Sequence, residues 1–288
     1  MNLWPAAGLL VAGLVSGGVA LVVLNRPPPS LVRPNHAGRP VPLVLGWALS
    51  VGIVVGAAVA AIGGTSGSPD RTPITVALAT APVIALLTLV GFLDDRFGGE
   101  ERGFRAHLGS LGQGRPTTGI LKLVAGVAAA VVLALHLADD PVRVAGIAVL
   151  VALCTNLWNA LDVVPGRALK WALAVLVPVL AAAWVRPSAP VIAATVGAAL
   201  GVLAFDLRER GMLGDAGSNP LGFLVGLGLA VVLPTPALLV AAGIALLLQL
   251  AAETVTISRL IAAVPPLRWF DGLGRPREPR RPAESPRP

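Results

Sequence analysis

Polar residues interrupt this chain at regular intervals. Between them lie nine apolar runs, at roughly 3–24, 43–63, 73–93, 119–138, 142–160, 169–185, 189–206, 218–233 and 236–252. Each holds about 16–22 residues, which at a helical rise of about 1.5 Å per residue crosses the ~30 Å hydrocarbon core of a bilayer. Turn-forming stretches separate the runs: "RPPPS", "GGTSGSPDRTP", "ADDP", "VRPSAP" and "LPTP". The pattern predicts an all-α, polytopic membrane protein with about nine transmembrane helices over residues 1–256. Residues 257–288 divide in two. "ISRLIAAVPPLRWF" sets Leu, Ile, Trp269 and Phe270 beside Arg259 and Arg268, a composition suited to the membrane interface. "GRPREPRRPAESPRP" is basic and proline-rich, and is expected to be disordered and attracted to anionic headgroups.

Composition supports the membrane reading. Of 288 residues, 55% are hydrophobic and 13% charged, whereas about a quarter are charged in soluble domains. The first run lacks a basic leader and a small-residue cleavage site, so it is expected to remain as a helix. The single cysteine, Cys154, lies inside an apolar run and leaves no intrachain disulfide. There is no Cys/His spacing for zinc.

The net charge of +7 does not indicate nucleic acid, because the basic residues follow the connections between spans. With the N-terminus outside, 19 of the 22 Lys and Arg fall on inside segments, and only Arg71, Arg143 and Arg186 fall outside. This asymmetry orients the chain and places its longer, polar segments in the cytoplasm. The GxxxG pairs Gly13–Gly17, Gly52–Gly56 and Gly222–Gly226 predict close helix packing. No inverted repeat argues for a transporter, and the carboxylates gather at span ends rather than at mid-membrane.

Five inside segments carry the candidate chemistry. In "TLVGFLDDRFGG", Asp94 and Asp95 end an apolar run. There the helix dipole presents partial negative charge, and the two carboxylates also repel each other. A cation, either bound Mg²⁺ or neighbouring Arg96, would relieve this; alternatively the pair simply reaches water. In "CTNLWNALDVVPGRALK", Asn156, Asn159 and Asp162 recur at intervals of three and share one helical face, as a polar pocket wall or as interhelical hydrogen-bonding groups. In "FDLRERGMLGDAGSNPLGF", Asp215 lies among Gly214, Ala216 and Gly217. Ser218 or Asn219 is expected to cap the next helix, with Pro220 in its first turn; a free helix N-terminus binds phosphate oxygens. A carboxylate beside it suits Mg²⁺ on a diphosphate, although an ordinary loop and cap has the same residues. Lys122, just inside a span, is placed to pair with a phosphate. Arg33, His36 and Arg39, in "RPNHAGRPVPLVLG", either contact phosphate or set topology, and His36 reads as a surface residue. His107 and His136 carry no informative context.

The order of these segments resembles the polyprenyl-phosphate N-acetylhexosamine-1-phosphate transferase family (glycosyltransferase family 4), which includes phospho-N-acetylmuramoyl-pentapeptide transferase. The matching stretches are Asn35 to Gly46, Asp94–Asp95, Asn156 to Gly166, and Gly214 to Ser218. The resemblance implies an all-helical fold with a cytoplasmic cleft in a bacterial cell membrane. It implies transfer of a phospho-sugar from a UDP-sugar to a polyprenyl phosphate, with Mg²⁺ and release of UMP, in cell-envelope glycan synthesis such as that of peptidoglycan. A homodimer is compatible with it, and nucleic acid is not a partner. By matched position, Asp94 and Asp95 would serve catalysis and the acceptor phosphate, and Asp215 would hold Mg²⁺. Asn156, Asn159, Asp162, Lys122, Gly214, Ser218 and Asn219 would contact substrate. The chain departs from the family in four places. Pro165 replaces a second aspartate, and the last inside segment has no histidine cluster. Phe205–Asp206 replaces Phe–Asn, and nine spans stand where the best-known members have ten. These departures motivate a second reading, a non-catalytic relative that binds lipid phosphate or a wall-synthesis partner.

Overall fold

A computed structural model of the chain describes residues 3–66, 69–98, 118–254 and 256–275. Its helices follow the apolar runs: α1 (Trp4–Asn25), α2 (Leu45–Gly64), α3 (Thr72–Phe97), α4 (Thr118–Leu137), α5 (Pro141–Leu161), α6 (Arg167–Ala183), α7 (Ala189–Leu207), α8 (Asp215–Val232) and α9 (Thr235–Thr254). Two short helices follow, α10 (Ile257–Ala263) and α11 (Pro265–Gly272). Among the described residues, eight helices are long and apolar enough to cross a membrane. α6, with 17 residues, is the shortest of the nine long helices. The protein is therefore an all-α membrane protein. Arg102, Arg105, His107, Arg115 and the proline-rich stretch after Arg275 lie outside the described residues.

Proline begins several helices, near the first turn of α1, α3, α5 and α7, where its missing N–H has no intrahelical partner to lose. The only strands among the described residues are Val32–Pro34 (β1) and Pro40–Pro42 (β2), paired antiparallel with Arg33 opposite Val41. This hairpin is tied to the segment before α8: Met212 N–H donates to the Pro42 carbonyl (2.9 Å) and Leu45 N–H to the Met212 carbonyl (3.1 Å).

Lipid removes the hydrophobic incentive for helices to associate, so close contact of small residues holds the bundle. α1 packs between α2 and α7. Gly52 and Gly56 of α2 lie against Gly8, Ala12 and Ser16 of α1, and Gly13 of α1 lies on the Gly197 carbonyl. The Ser16 hydroxyl donates to the Ala198 carbonyl at 3.0 Å, joining α1 to α7. The pair Gly222–Gly226 lies on Val151 and Cys154 of α5. All three GxxxG pairs thus sit at helix contacts, as expected.

α8 is the centre of the bundle. It packs against α2, α3, α5 and α6, and every residue from Ala216 to Gly228 is buried. α3, with 26 residues, is roughly 39 Å long at 1.5 Å per residue, longer than a ~30 Å core. The excess length lets its last turn carry Asp94 and Asp95 past the apolar zone. Gly91, one turn earlier, lies directly on the Asp215 carbonyl and the Ala216 nitrogen, where a side chain would collide. The absence of a Cβ at 91 therefore brings the end of α3 onto the start of α8.

The segment α10–α11 folds back on the start of α6. Arg167, 4% exposed, donates from Nε and NH2 to the two carboxylate oxygens of Asp271, each at 2.9 Å. Its NH1 donates to the Ser258 hydroxyl at 2.7 Å. Lys170 Nζ donates to the Asp271 carbonyl, and to that of Leu273 at 2.9 Å, satisfying the end of α11. Trp171 meets Phe270 edge to face, with centroids 4.7 Å apart.

Gly91→Val should cost about 1–3 kcal/mol through overpacking between backbones, read as a lower thermal unfolding temperature of the detergent-solubilised protein. Burial alone would raise the Asp271 carboxyl, but the hydrogen bonds and charge of Arg167, with the charge of Arg275, hold it below its ordinary value. A carboxyl lowered in the folded state stabilises fully above its unfolded value and loses that contribution as pH falls through the folded one. The wild type should accordingly lose an increment of thermal stability only below about pH 4. That increment should be missing from Asp271→Asn.

Candidate active site

The ends of α3, α5 and α7 and the starts of α4 and α8 meet at one end of the bundle, around a cavity of about 1260 Å³. From α3 come Asp94 and Asp95, from α4 Thr118 and Lys122, and from α5 Asn156 and Asn159. Asp162 and Pro165 line it from the following turn, Asp206 and Glu209 from the end of α7, and Gly214, Asp215 and Asn219 from α8. Arg33, Asn35 and His36 line it from the β1–β2 hairpin.

The two adjacent aspartates have different partners. Asp95 Oδ1 accepts from the Asp215 N–H (3.0 Å) and Oδ2 from the Ala216 N–H (3.1 Å). Asp95 is therefore the N-terminal cap of α8, supplied from another helix. Gly214 permits this: its φ is +63°, and a Cβ there would stand 2.6 Å from Asp95 Oδ2. Asp94 turns to α4. Its carboxylate accepts from the Thr118 hydroxyl, and from Lys122 Nζ at 2.9 Å. The same Nζ also pairs with Asp215 Oδ2. Thr118 and Lys122 lie one helical turn apart, so one face of α4 carries both. Lys122 therefore supplies a cation beside Asp94, shared with Asp215. Arg96, the neighbour considered from the sequence, is exposed at the end of α3.

Two expectations are corrected. Ser218 and Asn219 do not cap α8. The helix begins at Asp215 with Gly214 as its cap residue, Ser218 and Asn219 are fully helical, and Pro220 is the sixth helical residue, past the first turn. The reason is tertiary: Asp95 binds the first N–H groups, so the helix starts earlier than its own cap residues suggest. The cavity is lined by Asn219 but not by Ser218, whose buried hydroxyl has no partner among the described residues. Asn219 is 1% exposed, and its Nδ2 has no partner among the described residues. Asn156 and Asn159 share the face of α5 as expected. Asp162 falls just past the helix end, yet it faces the same cavity. Burial, with the carboxylates of Asp206, Asp215 and Asp95 around it, pushes Asp162 well above the ordinary carboxylate value.

Thr118 and Glu209 line the cavity without a role read from the sequence, and Asp206 was noted only as a departure from the family. Thr118 had a signal, its four-residue spacing from Lys122. Asp206, 3% exposed, accepts from the Gly166 N–H at 2.8 Å. Glu209, at φ +54°, accepts from Asn35 Nδ2 (3.0 Å) and Arg39 NH1 (2.9 Å), joining the hairpin to the α7–α8 turn. Arg33 donates to the carbonyls of Ser30 and Val32 in its own loop. His36 is exposed at the rim, and His136 is exposed at the end of α4. Among the described residues, no three His, Cys, Asp or Glu side chains form a cluster that would hold a metal by themselves.

A protein-family model described as "Glycosyl transferase family 4" matches residues 76–234, more than half of the chain. The match runs from the first turns of α3 to the end of α8, and so includes Asp94, Asp95, Lys122, Asn156, Asn159, Asp162 and Asp215. No curated protein matches the chain.

Removing the cap by Asp95→Ala should destabilise α8 by about 0.5–2 kcal/mol. Thermal unfolding in detergent should show the loss, with a smaller change for Asp94→Asn, whose partners lie in the cavity.

Proposed function

The chain belongs to glycosyl transferase family 4, and from that premise we propose that it transfers a phospho-N-acetylhexosamine, or a related phospho-sugar, from a UDP-sugar to a polyprenyl phosphate. The family supports phosphosugar transfer onto polyprenyl phosphate in general. The observation that carries the proposal to this chain is the convergence of Asp94, Lys122 and Asp215 in one polar cavity at an end of an apolar bundle. A lipid phosphate reaches such a place from the bilayer, and a nucleotide-sugar reaches it from water.

In the proposed reaction, an oxygen of the polyprenyl phosphate attacks the β-phosphorus of the donor. The bond from that phosphorus to the bridging oxygen breaks, and the bridging oxygen leaves with UMP. The product is a polyprenyl diphosphate sugar. Lys122 places a positive charge where the two phosphate groups meet, and Asp94 orients it from the α3 side. Asp95 holds α8 in place, so that Asp215 reaches the same point. Asn156, Asn159 and Asp162 offer polar groups along the opposite wall, toward the nucleotide-sugar. Asn219 lines the cavity with an amide N–H that has no partner among the described residues.

Mg²⁺ belongs to the proposal. It takes oxygen ligands and is commonly held by one or two carboxylates plus substrate phosphates. Asp94 and Asp215 converge on a single cationic point, which fits a metal shared with phosphate better than one caged by protein alone. When bound, it would neutralise charge developing on the departing phosphate. The Lys and Arg asymmetry supports a cytoplasmic cavity and an outside N-terminus, in a bacterial cell membrane engaged in envelope glycan synthesis.

The test is UMP release by the purified full-length protein, given polyprenyl phosphate and a panel of UDP-sugars with and without Mg²⁺. Release should need the metal and fall by at least about a hundredfold in Asp94→Asn, Asp95→Asn and Asp215→Asn. Undiminished release in these variants would overturn the site assignment. No release across the panel by a folded protein that still binds polyprenyl phosphate would favour the non-catalytic reading.

A further inference from the structure

The cavity wall formed by Asp162–Gly166 lacks regular structure, and contacts from α7 and from the C-terminal segment hold it. Asp206 Oδ2 accepts from the Gly166 N–H at 2.8 Å. Arg275 Nε donates to the Pro165 carbonyl at 2.9 Å, and Arg275 NH2 pairs with Asp271 at 2.9 Å. Asp271, 5% exposed, is held by both Nε and NH2 of Arg167, the residue immediately after Gly166. The wall is thus gripped at Pro165, at Gly166 and at Arg167. Two of these three grips come from the last described residues of the chain. Gly274, at φ +76°, turns the chain after α11 against Leu207, which also touches Gly166.

We infer that Ser258–Arg275 is a strap that fixes the donor-side wall of the cavity, with Asp271 and Arg275 as positioning residues for the nucleotide-sugar. This rests on the donor and acceptor assignment proposed above. The physical case is that a buried bidentate Arg–carboxylate pair tolerates little angular freedom. The carbonyl of Pro165, itself a cavity-lining residue, then inherits that rigidity. Asp271 does not line the cavity and touches no substrate; it acts through Arg167 and Arg275. Among the described residues, the strap's side-chain hydrogen bonds and ion pairs go to Pro165, Arg167 and Lys170, and not to α3 or α4 on the acceptor side.

Two readouts on the full-length protein in detergent test the strap. The first is amide hydrogen exchange over residues 160–168 in the wild type, Asp271→Asn, Asp271→Glu and Arg275→Gln. Exchange there should speed up in Asp271→Asn and Arg275→Gln, stay close to wild type in Asp271→Glu, and be unchanged over α3 and α4. The second is steady-state turnover with UDP-N-acetylglucosamine, or whichever UDP-sugar of the panel is used, and polyprenyl phosphate. The donor KM should rise by about tenfold or more in Asp271→Asn, while the acceptor KM stays within about twofold of wild type. Arg275→Gln, which leaves the Arg167–Asp271 pair intact, serves if Asp271→Asn fails to fold. Unchanged exchange over 160–168, or equal changes in both KM values, would overturn the strap. A wild type without turnover on any donor would defeat the reaction proposed above, while hydrogen exchange would still decide the strap.

Discussion

The geometry of the cavity depends on the carboxylate of Asp95 bound across two backbone N–H groups at the start of α8. A helix N-terminus in an apolar bundle carries unpaired donors and partial positive charge, and both demand an acceptor. Asp95 supplies it from a different helix. Gly91 and Gly214 make the approach possible, one by letting α3 lie on the α8 backbone and the other by turning the chain with a positive φ. Once this contact forms, Asp94 and Asp215 face each other, and Lys122 of α4 is drawn between them. An arrangement that local electrostatics disfavours becomes stable through partners from three helices.

The same constraint shapes the opposite wall. Polar backbone at the end of an apolar bundle must find partners, and the turn after α5 finds them in Asp206 and in the C-terminal segment. Arg167 and Lys170 reach α11 from the first turn of α6. Their positive charges are compensated by Asp271 and by the carbonyls at the end of that helix. The cavity therefore has one wall anchored by α3 and α8 and another anchored by the strap. Transfer of a phospho-sugar onto a polyprenyl phosphate needs two such faces held at a fixed distance.

Much of this was legible in the chain. Among the described residues, the nine apolar runs became nine long helices, because hydrophobic length is a local property that tertiary contacts rarely overrule in a membrane. The polar residues at their ends, Asp94, Asp95, Asn156, Asn159, Asp162 and Asp215, all line one cavity. Their position at alternate span ends already required one side of the bundle. The beginning of α8 was misplaced for an equally physical reason. Ser218, Asn219 and Pro220 read as a local cap, but capping needs only an acceptor, and Asp95, 120 residues away, provides one first. Asp271 could not be singled out. In sequence it is a lone acid in an interfacial stretch, and only burial beside Arg167 gives it a role.

By itself the sequence determined the helices and the set of polar residues gathered at one end. These follow from periodicity, hydropathy and charge, which act within a segment or across a whole membrane. Only the tertiary structure decided how those residues pair: Asp95 as a cap, Asp94 and Asp215 on one lysine, and the C-terminal segment against the turn after α5. Pairing depends on approach distances of a few ångströms between distant segments. Glycine contacts and the demand of buried polar groups for partners set those distances, and neither leaves a periodic trace along the chain.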